Sequence, residues 1–343
     1  TYTRRANFPS PWPGGWWRLR DIVEYELVAT TALLETVAEH RRDLLANFAR
    51  MGMEAVEAGR SGPPGAFLVP PDQHDPVAAA RLVELMLEHG VRVTVAREPV
   101  TVGRARHPEG TVVIPADQPY RPFLLTMLRP QRYPEVLPYP DGPVIPPYDA
   151  TSWSLPVALG VEVVEAAEPV ESRLDRLDTP PWPQPVVTSP AAGHLVPRRA
   201  DTAVAALNAL LAEGVVVEVL AEEGPDTAAG DLWIPDDDGT RRRVVQVAEE
   251  LHLPLRSLET APEVARRAQR PVRVGLFAPW VASMDEGWTR FVLEGARFDL
   301  TRLRNRDLAE GTFSATSDVV LLPDVAPSVI RRGEPDSERA RSV

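Results

Sequence analysis

The chain has 343 residues, 44% of them apolar and 25% charged, with a formal net charge of −12. That length admits about two to three domains with a sizeable core, and no apolar run approaches the roughly 20 residues of a membrane helix. The acidic balance argues against a nucleic-acid partner, because binding to a phosphate backbone draws on clustered cations; the absence of cysteine excludes disulfides, thiolate metal sites and a cysteine nucleophile.

The opening Asn7-Phe-Pro-Ser-Pro-Trp-Pro-Gly-Gly-Trp-Trp17 reads as an irregular aromatic arm without the pattern of a secretory signal. From Arg18 the period changes. Leu19, Ile22, Val23, Leu27, Thr30, Leu33, Leu34 and Val37 follow at three- and four-residue steps. Leu44, Leu45, Phe48 and Met51 continue the stripe beyond a charged interruption at Glu39 to Asp43. This predicts one long helix, or two with a break, ended by Gly59 and Ser61-Gly-Pro-Pro-Gly65.

Three units follow. The first has a strand at Ala66-Phe-Leu-Val69, then a helix capped by Asp75, begun by Pro76 and ended by Gly90. Val91 to Val95 and Thr111 to Ile114 read as strands, and Arg121 to Leu128 as a short helix. The second begins at Val186-Val187, with a helix capped by Asp201 and ended by Gly214. Strands at Val215 to Leu220 and Asp231 to Ile234 come next, then a helix from Arg241 to Leu251. The third has strands at Val272 to Phe277 and Phe298 to Leu303 around a helix from Met284 to Leu293.

Gly110-Thr-Val-Val-Ile114-Pro115 recurs as Gly230-Asp-Leu-Trp-Ile234-Pro235 and, more loosely, as Asp318-Val-Val-Leu-Leu322-Pro323. The expected fold class is therefore α/β, a long N-terminal helix followed by two to three related βαβ units with parallel sheets covered on both faces, flavodoxin- or amidotransferase-like. The expected boundaries are 1–62 for arm and helix, 63–170 for unit one with a proline-rich extension, 171–268 for unit two, and 269–343 for a partial unit and a charged, disordered tail from Arg331 to Val343. Pro130 to Tyr148 and Glu171 to Pro185 read as extended proline-rich connections.

Little in the sequence carries chemistry. None of His40, His74, His89, His107, His194 and His252 pairs with a histidine or glutamate at zinc-site spacing. There is no Gly-x-Ser-x-Gly elbow and no glycine-rich phosphate cradle. Ser283-Met-Asp-Glu286 reads first as a helix capping box. Trp12, Trp16 and Trp17 form the densest aromatic patch, read mainly as packing against a neighbouring domain and otherwise as a surface for peptide or sugar.

The arm and helix Pro11-Trp-Pro-Gly-Gly-Trp-Trp-Arg-Leu-Arg-Asp21 and Ile22-Val-Glu-Tyr-Glu26 carry a resemblance. Asp117-Gln-Pro-Tyr-Arg-Pro122, Tyr148-Asp-Ala-Thr-Ser-Trp153 and Met284-Asp-Glu-Gly-Trp-Thr-Arg290 share it. Together they resemble the region downstream of the catalytic domain in large bacterial zinc carboxypeptidase-like proteins of the carboxypeptidase A type. Unit three resembles the start of a glutamine-amidotransferase-like domain. The resemblance implies a zinc-bearing catalytic domain that precedes Thr1, a secreted or periplasmic setting, and no catalytic, cofactor-binding or metal-binding residue in this chain. It implies that the opening helix seeks that domain as its partner. Trp12, Trp16, Trp17, Tyr148, Trp153, Asp285 and Trp288 are then the candidate surface for it or for a peptide substrate. The alternative is a stand-alone α/β module that binds carbohydrate or peptide.

Overall fold

The computed structural model describes residues 3–6, 9–12, 14–146, 153–237 and 239–333. Two 21-residue helices lead, α1 (Leu19–Glu39) and α2 (Arg41–Ser61), broken at His40 inside the charged interruption. Gly59 does not end α2. It lies within the last turn, buried against the backbone of Ala116 and Asp117, where a β-carbon would have no room. The stop comes at Gly62, whose N–H donates to Ala58 O.

Unit one contains β1 (Ala66–Val69), α3 (Pro76–Glu88), β2 (Thr94–Ala96), the hairpin β3 (Val100–Val102) and β4 (Ala105–His107), and β5 (Val112–Pro115). It continues with α4 (Arg121–Leu128), α5 (Leu155–Leu159), β6 (Val164–Ala166) and β7 (Leu174–Arg176). Its sheet runs β6-β1-β5-β2-β7. Unit two contains β8 (Gly193–Val196), α6 (Ala203–Ala212), β9 (Glu218–Leu220), β10 (Leu232–Pro235), α7 (Thr240–Glu250), β11 (Arg256–Leu258) and β12 (Arg266–Ala268). Its order, β11-β8-β10-β9-β12, matches unit one strand for strand.

The mixed α/β class stands, but these two sheets are antiparallel at every pairing, which corrects the expectation of parallel sheets. The reason lies in the second connection. A helix joins β1 to β2, so those two strands run the same way. No helix joins β2 to β5 or β9 to β10, and a parallel return needs a crossover of a dozen or more residues, usually helical. The third strand therefore returns antiparallel and inserts between the first two. The helices gather on one face. Phe67, Val69 and Ile114 pack there with Leu82 and Met86 of α3 and Leu124 of α4. On the other face Leu68 and Val113 meet Val100 of the hairpin.

Unit three contains β13 (Arg273–Phe277), α8 (Met284–Gly295), β14 (Asp299–Leu303), α9 (Asn305–Glu310), α10 (Phe313–Thr316), β15 (Val319–Leu321) and α11 (Pro327–Arg332). Here the order is β14-β13-β15 and both pairings are parallel, with α8 as the crossover. The third sequence repeat is thus an edge strand of a parallel sheet, not the equivalent of the central β5 and β10. Arg331 and Arg332, expected in the tail, close α11; 334–343 lie outside the described residues. The proline-rich connection 171–185 contributes the edge strand β7.

Asp75 caps α3 as expected, Oδ1 accepting from Val77 N at 2.9 Å, and its Oδ2 accepts from Asp201 N at 2.8 Å, tying unit one to unit two. Asp201 does not cap α6, whose N-cap is Thr202. Partial desolvation and then the facing Asp75 raise the Asp201 carboxyl above its ordinary range, with Arg81 opposing. A raised carboxyl binds its proton more tightly in the folded state, so this pair penalises folding at pH 7 and less as pH falls. Asp201→Asn is expected to stabilise by no more than ~0.5 kcal/mol at pH 7, since the group is solvent-screened. The gain shrinks on acidification, read by urea midpoints at both pH values.

Candidate functional surface

The arm, α1 and α2 form one exposed apolar strip. No residue of α1 is buried, although Leu27, Val28, Leu33 and Leu34 are 62–69% exposed and Leu27 to Leu34 contain no charge. In α2 Phe48 is 77% and Met53 65% exposed. The far end of α2 and the start of α4 enclose an apolar cleft of about 780 Å³, lined by Phe48, Met51, Met53, Val56, Pro119 and Pro122. Helices with a broad apolar face owe their stability to covering it, which makes this strip the candidate functional surface.

The predicted aromatic residues fall into separate places. Trp12 and Trp17 meet edge to face at 4.6 Å, and Trp17 stacks on Tyr25 of α1 at 5.6 Å, so the arm folds back onto the helix. Trp16 stands 81% exposed beside them. Asp285 and Trp288 belong to a different patch on α8, where Trp288 lies 6.0 Å from Phe291 and Met284 is also bare. Ser283 Oγ accepts from Glu286 N at 3.3 Å, the capping interaction. The Glu286 carboxylate turns instead to Arg290 and Arg302. Trp153, just before α5, is 46% exposed on unit one; Tyr148 lies outside the described residues.

The sequence reading missed a buried polar chain in unit two. His194 on β8 and Asp236 after β10 have side chains 0% and 1% exposed. His194 Nδ1 is 3.0 Å from Ser257 Oγ on the neighbouring β11, and Nε2 is 3.3 Å from Asp236 Oδ1. Thr188 N donates to Ser257 Oγ at 3.1 Å, and the Arg241 guanidinium donates to Asp236. Burial pushes the Asp236 carboxyl up, but Arg241 and His194 together bring it below its usual range.

The residue types are those of a Ser-His-Asp triad, yet the ring and carboxylate are sealed from solvent and the serine oxygen already accepts a backbone N–H. Each member of the chain finds a hydrogen-bond partner within the fold. Unit one shows what it replaces. Phe67 stands at the register position of His194, both opposite an isoleucine, and Ala116 at that of Asp236, each following the strand-ending proline. Arg121 matches Arg241, six residues beyond that proline, and donates to Pro63 O and Pro64 O. The legible signal was a histidine where the sister strand carries phenylalanine.

Among the described residues no group of three His, Cys, Asp or Glu side chains could hold a metal ion, so the donors described do not fit a zinc centre. Nor is any helix long and apolar enough to cross a membrane. No protein-family model matches the chain, and no curated protein or solved structure is similar to it.

Proposed function

We propose that this chain is a non-catalytic accessory region of a zinc metallocarboxypeptidase, with the strip along the arm, α1 and α2 docked on the catalytic domain. The parent reaction would be hydrolysis of C-terminal peptide or related amide bonds by zinc-activated water, with the catalytic residues outside this chain. One observation carries the reading: among the described residues nothing buries any residue of the 21-residue α1, and α2 leaves Phe48 and Met53 exposed beyond the end that packs on unit one. The motifs around Trp12 to Glu26, Asp117 to Pro122 and Met284 to Arg290, which resemble that protein group, supply the identity of the partner. The two α/β units would position the catalytic domain or contact its substrate.

The pure chain is expected to bind less than stoichiometric zinc and to release no C-terminal amino acids from peptides. Zinc-dependent release with one bound metal per chain would overturn the proposal. The second reading, a stand-alone carbohydrate- or peptide-binding module, is favoured by the exposed aromatic cluster on α8. It predicts a monodisperse monomer by light scattering, whereas an uncovered α1 and α2 predict association or binding of a hydrophobic dye.

A further inference from the structure

The uncovered face of α1 is not uniformly apolar. At 3.6 residues per turn, Leu19, Ile22, Val23, Thr30, Leu33 and Val37 lie on one side of the helix, and Glu26 sits in their midst. Its neighbours one turn away are Ile22, Val23, Ala29 and Thr30, so no cation of its own helix can reach it. Among the described residues the Glu26 carboxylate has no hydrogen bond or ion pair, whereas Glu24, on the other side, is held by Arg20 at 2.7 Å. Whatever covers this face must desolvate Glu26. A carboxylate taken out of water without a partner costs several kcal/mol, roughly what the surrounding leucines would gain.

The charge around the face narrows the choice of occupant. Within α1, Asp21, Glu24, Glu26, Glu35 and Glu39 stand against one basic residue, Arg20. A second copy laid on this face would bring two such helices together, and an anionic membrane would be repelled. We propose that the face of α1 docks a protein surface that is apolar at its centre, basic at its rim, and presents one arginine or lysine to Glu26. This rests on the reading of α1 as a docking helix and adds the chemistry of what it docks. A lone charged group in an otherwise apolar seam also fixes register, as polar core residues do in coiled coils.

The test uses two defined helical peptides of equal length and leucine content titrated into the whole chain by calorimetry. One has an arginine-rich rim and an arginine in the middle of its apolar face; the other has a glutamate-rich rim and leucine at the centre. Neutral and anionic vesicles are titrated in parallel. The basic peptide is expected to bind saturably, the acidic one at least ~100-fold more weakly, and Glu26→Gln to weaken the basic peptide about tenfold. Glu26 is exposed, so Glu26→Gln leaves folding intact, checked by circular dichroism. Replacing the peptide's central arginine by leucine should erase the difference between wild type and Glu26→Gln. Equal binding of both peptides, indifference to Glu26→Gln, or preference for vesicles over peptide would each overturn the proposal. So would a stable dimer whose formation is blocked by charges on Leu27 and Leu34. None of these readouts depends on zinc or peptidase activity, so the accessory-region reading can stand or fall separately.

Discussion

Gly59→Ala is expected to destabilise the chain by ~2 kcal/mol, while the same change at Gly287 stabilises by up to ~1 kcal/mol. Both glycines are helical, and alanine improves helix propensity at both because it loses less backbone entropy. The difference is what surrounds them. A β-carbon at Gly59 would lie 2.6 Å from Asp117 N and closer still to the Ala116 carbonyl, backbone that cannot swing aside. At Gly287 it would meet nothing within 4 Å. Gly59 is where α2 touches unit one, so the loss should fall on the docking of α2. Hydrogen exchange would show early opening from Val56 to Ser61 with the β8–β10 core unaffected. Equal signs at the two positions would mean that the helix contact is looser than described.

Asp236→Ala is expected to cost ~3 kcal/mol, because it leaves His194 buried without its acceptor and removes the carboxylate that the Arg241 guanidinium neutralises. The double change His194→Phe with Asp236→Ala should recover most of that, since unit one packs Phe67 and Ala116 at the same register positions. The sign with pH follows from the depressed carboxyl. A carboxyl held below its unfolded value stabilises above the unfolded pKa, and the contribution is lost as pH falls through the folded one, below ~4. Wild type should therefore lose stability more steeply in acid than the double variant, measured by urea midpoints between pH 6 and 3. A double variant no better than Asp236→Ala alone would show that unit two depends on the polar chain where unit one does not.

How much of this was legible follows the range of each interaction. Asp75-Pro76 and Arg121-Pro122 declare their helices locally, and the structure places α3 and α4 there. The repeated Gly-x-x-x-Ile-Pro segments marked equivalent strands correctly in units one and two. Their direction was misread, because strand–helix–strand–strand has the same hydrophobic pattern whether the last strand returns parallel or antiparallel; only the short, helix-free link before it decides. Val91 and Val93 read as strand and are buried, but β2 starts at Thr94. Of the aromatic candidates, Trp12 and Trp17 share one patch and Trp288 another. The His194 chain joins residues 42 and 63 positions apart, which no local pattern can show.

The third strand of unit three bears on solubility. β15 pairs with β13 on one side, and Val319 is 45% exposed at that edge. Unpaired edge backbone is a template for strand addition by another chain. Here Pro323 follows so closely that β15 ends after three residues, offering about 10 Å of open backbone, and proline itself has no N–H to donate. The apolar run Val319 to Leu322 would otherwise be long enough to seed intermolecular sheet; the proline that marks the repeat in the sequence also keeps this margin closed to growth.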